Sequence, residues 1–180
     1  MVNRYRAGAL QRFDYRLDRL VQSLPKSAEP LMRLASMAGE PLTVMAITAV
    51  VFIRAITNNS SDIVTALVLA SVAYGLNTLL KQSLHRRRPN NLKLTTLRIK
   101  SYSFPSGHAF GSVIFYGLFA YLAYVRLSNP WGAVVAVLVA GLILLIGLSR
   151  VYLKVHYPSD VIAGWLVGLL SLYIVISLAF

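Results

Sequence analysis

The amino-acid sequence predicts an all-α protein, a multi-pass transmembrane helical bundle built as one domain. Of its 180 residues, 57% are hydrophobic and only 13% are charged, whereas soluble domains average about 45–50% apolar and about 25% charged residues. The apolar residues also gather in long uncharged runs, and the prolines lie outside the interiors of those runs. We expect residues 31–180 to form the transmembrane core and residues 1–30 to form an interfacial segment.

Four uncharged runs of 17 to 20 residues are long enough to cross a bilayer as helices. They are residues 63–80, 109–125, 131–149 and 161–180. A spanning helix requires about 20 mostly apolar residues, with a range of about 17–25. Pro130 and Pro158 stand at two of the helix entrances, where the N–H that proline lacks would have no partner.

A fifth run, at residues 41–55, is a weaker candidate. Only the 13 residues 41–53 are free of charge, between Glu40 and Arg54. Arg54 does not prevent crossing, because a long basic side chain near a helix end can extend its charge to the interface. The alternative is a re-entrant or interfacial helix. The sequence therefore predicts about five spans.

The N-terminal segment contains an amphipathic helix that ends at Pro25. Its apolar residues recur at helical spacing and are Leu10, Phe13, Leu17, Leu20, Val21 and Leu24. The opposite, polar face carries Arg12, Asp14, Arg16, Asp18 and Arg19. A helix of this kind, with arginines on its polar face, is typical of the headgroup plane of a membrane. The alternative is a helix that packs on the protein's own loops.

Three polar clusters border the predicted spans, at residues 81–89, 103–108 and 149–160. The first cluster ends the second span, the next opens the third span, and the last connects the fourth span to the fifth. Because consecutive spans cross in opposite directions, all three clusters meet at one membrane surface. Ionisable groups are costly near a bilayer, so their convergence indicates a functional site.

The clusters contain groups suited to binding a phosphate. Lys81, Arg88 and Arg150 are cations, and arginine matches a tetrahedral oxyanion with bidentate hydrogen bonds. Ser106 and Gly107 open the third span, where unpaired backbone N–H groups and the helix dipole favour an anion. Each feature also has a structural explanation, since basic residues anchor helix ends at the interface and serine caps helices.

Two histidines, His108 and His156, can supply a nucleophile and a proton donor near neutral pH. Asp160 follows His156 by four residues and could hold one imidazole nitrogen, although a carboxylate there also complements a helix dipole. The three side chains could instead bind zinc, but the nearby cations would repel a dication. The sequence has no cysteine, which excludes thiol nucleophiles and thiolate metal ligands.

The spacing of these residues resembles the signature of the type 2 phosphatidic acid phosphatase (PAP2) superfamily. Its three parts are Lys-x6-Arg-Pro at residues 81–89, Pro-Ser-Gly-His at residues 105–108, and Ser-Arg-x5-His-x3-Asp at residues 149–160. All three parts are complete and in order. The superfamily includes membrane lipid phosphatases, glucose-6-phosphatase and the soluble vanadium haloperoxidases, and the resemblance implies their helical core. Its members commonly have six spans, so the five predicted here are a departure in topology.

The resemblance implies a role for each of eight residues. His156 would attack phosphorus and form a phosphohistidine, Asp160 would orient it, and His108 would protonate the leaving oxygen. The implied phosphate-binding residues are Lys81, Arg88, Ser106, Gly107 and Arg150. Neither a metal nor a cofactor is expected.

The residues and the resemblance together favour an integral enzyme of a bacterial cytoplasmic membrane that hydrolyses a lipid phosphate monoester or diphosphate. Phosphatidic acid, phosphatidylglycerophosphate, a polyprenyl diphosphate and lipid A are candidate substrates, because apolar contacts to a lipid tail specify little. The alternatives are a vanadate-dependent haloperoxidase-like enzyme and a non-catalytic protein that binds anionic lipid. A net charge of +12 would also suit nucleic acid, but the basic residues border spans and no nucleic-acid-binding module is recognisable.

Charge and resemblance disagree about which face of the membrane carries the site. The predicted site face holds 16 of the 18 Lys and Arg residues, so the positive-inside rule places it in the cytoplasm. Bacterial members of the superfamily usually work on the outer face. The loop at residues 90–102 adds Lys93, Arg98 and Lys100, which we expect to attract an anionic headgroup or the bilayer surface.

Overall fold

A computed structural model describes residues 8–89, 102–127 and 130–180, and the regular secondary structure in these ranges is helical. The helices are α1 (Ala9–Gln22), a 3₁₀ turn (Lys26–Ala28), α2 (Glu29–Ala38), α3 (Pro41–Thr57), α4 (Ser61–Leu84), α5 (Gly107–Gly111), a π-helical turn (Ser112–Tyr116), α6 (Gly117–Arg126), α7 (Trp131–Tyr152) and α8 (Pro158–Ala179). The all-α prediction is confirmed. Lys93, Arg98 and Lys100 lie outside the described residues.

Four helical segments are long and apolar enough to cross a membrane. They are Ser61–Leu84, Gly107–Arg126, Trp131–Tyr152 and Pro158–Ala179. Each matches one of the uncharged runs in the sequence, and the second consists of α5, the π-helical turn and α6 in succession. The chain is therefore an integral membrane protein.

The weaker fifth run corresponds to α3, which begins at Pro41 as the sequence predicts. The segments Lys26–Ala38 and Pro41–Thr57 meet at a bend of 50°. Counted as one broken span, this pair raises the number of candidate spans from four to five. The prediction of about five spans agrees with this count, and crossing of the bilayer by α3 itself stays a prediction.

The α5–α6 span lies at the centre of the bundle. The largest fully buried apolar side chains are Leu67, Phe110, Ile114, Leu118 and Ile146. Three of these belong to the α5–α6 span, and the other two come from α4 and α7. The α5–α6 span is thus enclosed by the neighbouring helices. Its first residues, which belong to the second polar cluster, therefore lie between the ends of those helices.

Gly164 allows α8 to approach the start of α5. A Cβ atom at this position would lie 2.7 Å from the carbonyl oxygen of Ser106 and 3.0 Å from Cβ of Ala109. A larger residue would therefore push the two helices apart. The close approach lets the Ser106 N–H donate a 2.9 Å hydrogen bond to the backbone carbonyl of Asp160. Helix packing in this way joins the second polar cluster to the third.

Helix α1 confirms the predicted amphipathic helix, with one residue placed differently. Phe13 and Leu20 on its apolar face remain 43% and 66% exposed, and its position in the headgroup plane stays a prediction. Asp14, which the sequence assigns to the polar face, is only 4% exposed. It is buried because Arg86 and Ser159 bind its carboxylate. Helical periodicity within α1 carries no information about these distant partners.

Candidate active site

The structure brings the three polar clusters together at one end of the bundle, as the sequence predicts. Arg86 of the first cluster and Ser103 of the second both donate hydrogen bonds to the carboxylate of Asp160 in the third. Lys81 is in the last turn of α4, and a Cβ atom at Gly107 would lie 3.7 Å from its Nζ. The eight predicted site residues all lie within the described ranges.

The loop between α7 and α8 presents His156 to Asp160. The imidazole Nδ1 lies 3.5 Å from Asp160 Oδ2 and 3.4 Å from Ser103 Oγ, and the side chain is 1% exposed. Pro158 begins α8 and Asp160 lies in its first turn, so the start of the helix fixes the spacing between the two side chains. A proton on Nδ1 leaves the lone pair on Nε2, which is then the nucleophilic nitrogen.

Asp160 is itself held by donors from three directions. Its Oδ2 accepts hydrogen bonds from the Ser103 hydroxyl and, at 2.9 Å, from the backbone N–H of Tyr157. Its Oδ1 accepts a hydrogen bond of 2.5 Å from Arg86 Nη1. The side chain is fully buried. A buried carboxylate with this many donors has a fixed orientation, which it passes on to His156.

The electrostatic surroundings of His156 favour its neutral form. Burial lowers the pKa of His156 well below its ordinary value, and the cations Lys81, Arg88 and Arg150 lower it further. A hydrogen bond involving Ser103 acts in the opposite direction. The imidazole is therefore neutral at pH 7, as a nucleophile must be. The same three cations are those that the sequence predicts as phosphate ligands.

The start of α5 has the features of an anion-binding site. Ser106 is the N-cap residue, and its hydroxyl accepts a 3.4 Å hydrogen bond from the N–H of Ala109. The first N–H groups of a helix have no partner within the helix and attract an anion. Gly107 borders two polar groups of α4, because a Cβ atom there would lie 3.8 Å from the Tyr74 hydroxyl and 3.7 Å from Lys81 Nζ.

His108 and Arg150 each have a buried polar atom without a hydrogen-bond partner among the described residues. These atoms are Nε2 of His108 and Nε of Arg150. Arg150 is anchored through another atom, since its Nη1 donates a hydrogen bond to the Ser36 hydroxyl of α2. Buried polar atoms in proteins normally have a partner. The two unpaired nitrogens are therefore suited to contact oxygen atoms of a substrate.

The zinc alternative gains no support from the part of the chain that the structure describes. In residues 8–89, 102–127 and 130–180, no three His, Asp or Glu side chains come together as a metal-binding group. Independence from metal stays a prediction.

Three further residues contribute to the site although the sequence motifs give them no role. They are Ser103, Arg86 and Asp14. Ser103 lies in the second cluster and Arg86 in the basic run before Pro89, so both were candidates by position. Asp14 is 72 residues away from Arg86. The sequence analysis assigns it to the polar face of the N-terminal helix together with Asp18, and no motif distinguishes the two carboxylates.

Comparison with known families identifies the family of the chain. A family model described as the PAP2 superfamily matches residues 62–180. The chain belongs to the PAP2 superfamily. The matched region contains all eight predicted site residues, whereas α1 and Asp14 precede it.

Named relatives of this PAP2 protein are phosphatases. It is 35% identical over 102 residues to phosphatidylglycerophosphatase B of Bacillus subtilis, covering 56% of this chain and 49% of the relative. It is 32% identical over 143 residues to an undecaprenyl-diphosphatase of Sulfolobus acidocaldarius, covering 77% and 64%. The chain thus spans about half to two thirds of the length of these two relatives. A putative undecaprenyl-diphosphatase of Escherichia coli is 30% identical over 168 residues, covering 90% and 80%.

A solved structure supports the same fold. The crystal structure of a transmembrane PAP2-type phosphatidylglycerolphosphate phosphatase from Bacillus subtilis superimposes with a TM-score of 0.82 at 24% identity. The match covers 96% of this chain and 87% of the other. The predicted PAP2-like helical core is confirmed.

Proposed function

We propose that this protein is an integral membrane phosphatase that hydrolyses a lipid phosphate monoester or diphosphate through a phosphohistidine, without a metal. One observation carries the proposal: the buried imidazole of His156 lies 3.5 Å from the carboxylate of Asp160. Three cations, Lys81, Arg88 and Arg150, face the same imidazole. An oriented nucleophile beside a cationic pocket is what attack on a phosphate requires.

In the first step, Nε2 of His156 attacks phosphorus, and a P–N bond forms while the P–O bond to the lipid breaks. Asp160 stabilises the positive charge that develops on the imidazole. The negative charge of the bound phosphate favours the protonated form of His108, which donates its proton to the leaving oxygen. The lipid departs as an alcohol, or as a monophosphate when the substrate is a diphosphate. The three cations and the start of α5 stabilise the charge on the phosphoryl oxygens.

In the second step, water attacks the phosphohistidine and the P–N bond breaks. The neutral His108 accepts a proton from that water, and inorganic phosphate leaves. The step returns His156 to its neutral form and His108 to its protonated form. The enzyme is thereby regenerated with all atoms and charges accounted for.

An apolar passage beside the site supports a lipid as the substrate. A cavity of about 240 Å³ is lined by Gly107, which opens α5, and by Tyr74 of α4. It shares Met45, Ser71 and Phe115 with a larger groove of about 570 Å³ that runs along α3 and α4. Apolar clefts with a few polar groups at one end are typical ligand sites. An acyl or prenyl chain would extend through them from the phosphate towards the hydrocarbon region.

The relatives suggest two headgroup chemistries. One of the three relatives is named for phosphatidylglycerophosphate, and the other two relatives are named for undecaprenyl diphosphate. Both substrates carry a terminal phosphate on an apolar lipid, and the site described here would bind that terminal phosphate. Phosphatidic acid and lipid A present the same group and belong in the same comparison.

A substrate panel tests the proposed function. The purified full chain in detergent is given phosphatidic acid, phosphatidylglycerophosphate, a polyprenyl diphosphate and lipid A, and released phosphate is measured with and without a chelator. We expect release from at least one lipid, unchanged by the chelator. Absence of release from every lipid would support the non-catalytic alternative, and halide oxidation with vanadate and peroxide would support the haloperoxidase alternative. Inhibition by the chelator would contradict metal independence alone.

The face of the membrane that carries the site is tested by a reporter fused after Phe180. With five spans, a cytoplasmic site requires an external C-terminus, and an alkaline phosphatase fusion would then be active. Fluorescence from a reporter that folds only in the cytoplasm would instead support a site on the outer face.

A further inference from the structure

Arg86 joins two buried carboxylates from opposite ends of the sequence. Its Nη2 lies 2.6 Å from Asp14 Oδ2 in α1, and its Nη1 lies 2.5 Å from Asp160 Oδ1 in α8. Its guanidinium also lies over the ring of Tyr157, 4.4 Å from the centroid. Because the guanidinium is planar and its donors are fixed, such a bridge holds both carboxylates in one geometry.

Asp14 is also attached to the first turn of the helix that carries Asp160. Its Oδ1 accepts a 2.8 Å hydrogen bond from the N–H of Ser159, and its Oδ2 accepts a 2.8 Å bond from the Ser159 hydroxyl. The Ser159 hydroxyl in turn accepts a 2.8 Å bond from Arg86 Nη1. A carboxylate at a helix N-terminus is electrostatically favourable. Helix α1 is therefore connected directly to the residue that precedes Asp160.

We propose that Asp14 and Arg86 are positioning residues that hold Asp160 against His156, which makes helix α1 part of the catalytic unit. The proposal rests on the proposed function, because that function assigns the nucleophile to His156. Neither residue belongs to the three-part signature, and Asp14 precedes the region matched by the family model. Both residues act through Asp160 and do not contact the phosphate.

The proposal makes opposite predictions for the two residues, because they carry opposite charges. The charged and titratable groups that face His156 are Lys81 of α4, Arg88 beyond it, His108 of α5, Arg150 of α7 and Asp160 of α8. All of these keep their own charge when the bridge is changed, and only the hold on Asp160 is loosened. Asp14→Asn leaves Arg86 to neutralise Asp160 alone, so the imidazolium of His156 is less stabilised and its pKa falls further. Arg86→Gln removes a cation near Asp160, so the pKa of His156 rises.

Steady-state kinetics distinguish positioning from substrate binding. Asp14→Asn and Arg86→Gln should each lower kcat about 10- to 100-fold, as loss of a hydrogen bond to a charged group does. KM should stay within about threefold, since the phosphate ligands and the apolar passage are untouched. Asp18→Asn on the same helix and Arg87→Gln beside Arg86 are the matched controls, and both should keep the kcat of the unmodified protein.

Histidine titration supplies a readout that does not require turnover. The chain has three histidines, so the ¹⁵N imidazole spectra of the full chain in detergent can be assigned by single substitutions. The pKa of His156 should fall in Asp14→Asn and rise in Arg86→Gln. Shifts in the same direction, or no shift in either variant, would overturn the proposal. If the unmodified protein hydrolyses no lipid phosphate, the proposed function fails while the titration still tests the link between α1 and His156.

Arg86→Lys keeps the proposal testable if the charge-removing variants do not fold. Lysine retains the charge but lacks the fork that reaches both carboxylates at once. We expect kcat to fall about tenfold while the midpoint of thermal unfolding stays close to that of the unmodified protein. A folded Arg86→Lys protein with unchanged kcat would show that the bridge is not needed.

Discussion

The two histidines of the site have opposite surroundings. Nδ1 of His156 faces Asp160 at 3.5 Å and Ser103 at 3.4 Å. Nε2 of His108 is buried but has no hydrogen-bond partner among the described residues. The difference matches two chemical roles. A nucleophile requires a fixed tautomer and direction, whereas a general acid must leave its proton-bearing nitrogen to the substrate.

The supports of the two histidines also come from different parts of the fold. Asp160, which faces Nδ1 of His156, is held by Arg86 from the segment after α4. The His108 side is bordered by the end of α2, since a Cβ atom at Gly39 would lie 3.2 Å from Cδ2 of His108. In the same helix, Ser36 binds Arg150. The two sets of hydrogen bonds share no residue, but Arg150 lies near both histidines, so a substitution that moves Arg150 acts on both sides of the site.

His156→Ala should have the largest effect, because it removes the nucleophile. We expect hydrolysis to fall to background and a radiolabelled substrate to leave no acid-labile phosphoenzyme. His85→Ala is the matched control, because His85 is exposed and belongs to no part of the signature. Substantial turnover by His156→Ala would place the nucleophile on another residue.

His108→Ala should have the next largest effect. General acid catalysis contributes about 10²–10⁴-fold, so kcat on a lipid phosphate should fall within that range. A substrate with an activated leaving group needs no proton from the enzyme, and it should partly rescue His108→Ala but not His156→Ala. Equal losses on both substrates would indicate that His108 acts in binding.

The pH profile should report the environment of His156. Its pKa lies well below the ordinary value of 6.5, so the imidazole stays neutral as the pH falls past 6.5 and is protonated only at lower pH. The acid limb of kcat/KM should therefore lie below about pH 6.5. Titration of the imidazole without substrate separates this limb from ionisation of the substrate phosphate. An acid limb above 6.5 would contradict the neutral resting state.

Ser36→Ala should have the smallest effect, on the Arg150 side of the site. It removes the hydrogen bond from Arg150 Nη1 to α2 without changing a group that contacts the phosphate. We expect kcat/KM to fall about 3- to 10-fold, which corresponds to part of the free energy of a hydrogen bond to a charged group. The exposed Ser83→Ala is the control. Because Arg150 also acts on His156, the titration of His156 in Ser36→Ala reports whether Arg150 has moved, and an unchanged kcat/KM would show that its contact with Ser36 is not needed.

Much of the fold and of the site could be predicted from the sequence because the signals are local. An uncharged run in the sequence predicts a membrane span. The four clear runs correspond to the helical segments Ser61–Leu84, Gly107–Arg126, Trp131–Tyr152 and Pro158–Ala179. His156 and Asp160 are four residues apart, one just before the start of α8 and the other in its first turn. Alternation of helix direction is enough to bring the polar clusters to one surface. In each case the backbone itself sets the geometry.

Only the tertiary structure decided how His156 and Asp160 are held in place. Asp14 reaches Arg86 across 72 residues and Ser159 across 145, and Arg150 reaches Ser36 across 114. Hydropathy and helical period describe one segment at a time, so a carboxylate on an amphipathic helix is assigned to solvent. Whether it is paired instead depends on which helix ends meet. Helix packing decides which ends meet. Because Gly164 has no side chain, two helices can approach closely there, and polar groups from distant segments come within hydrogen-bond distance.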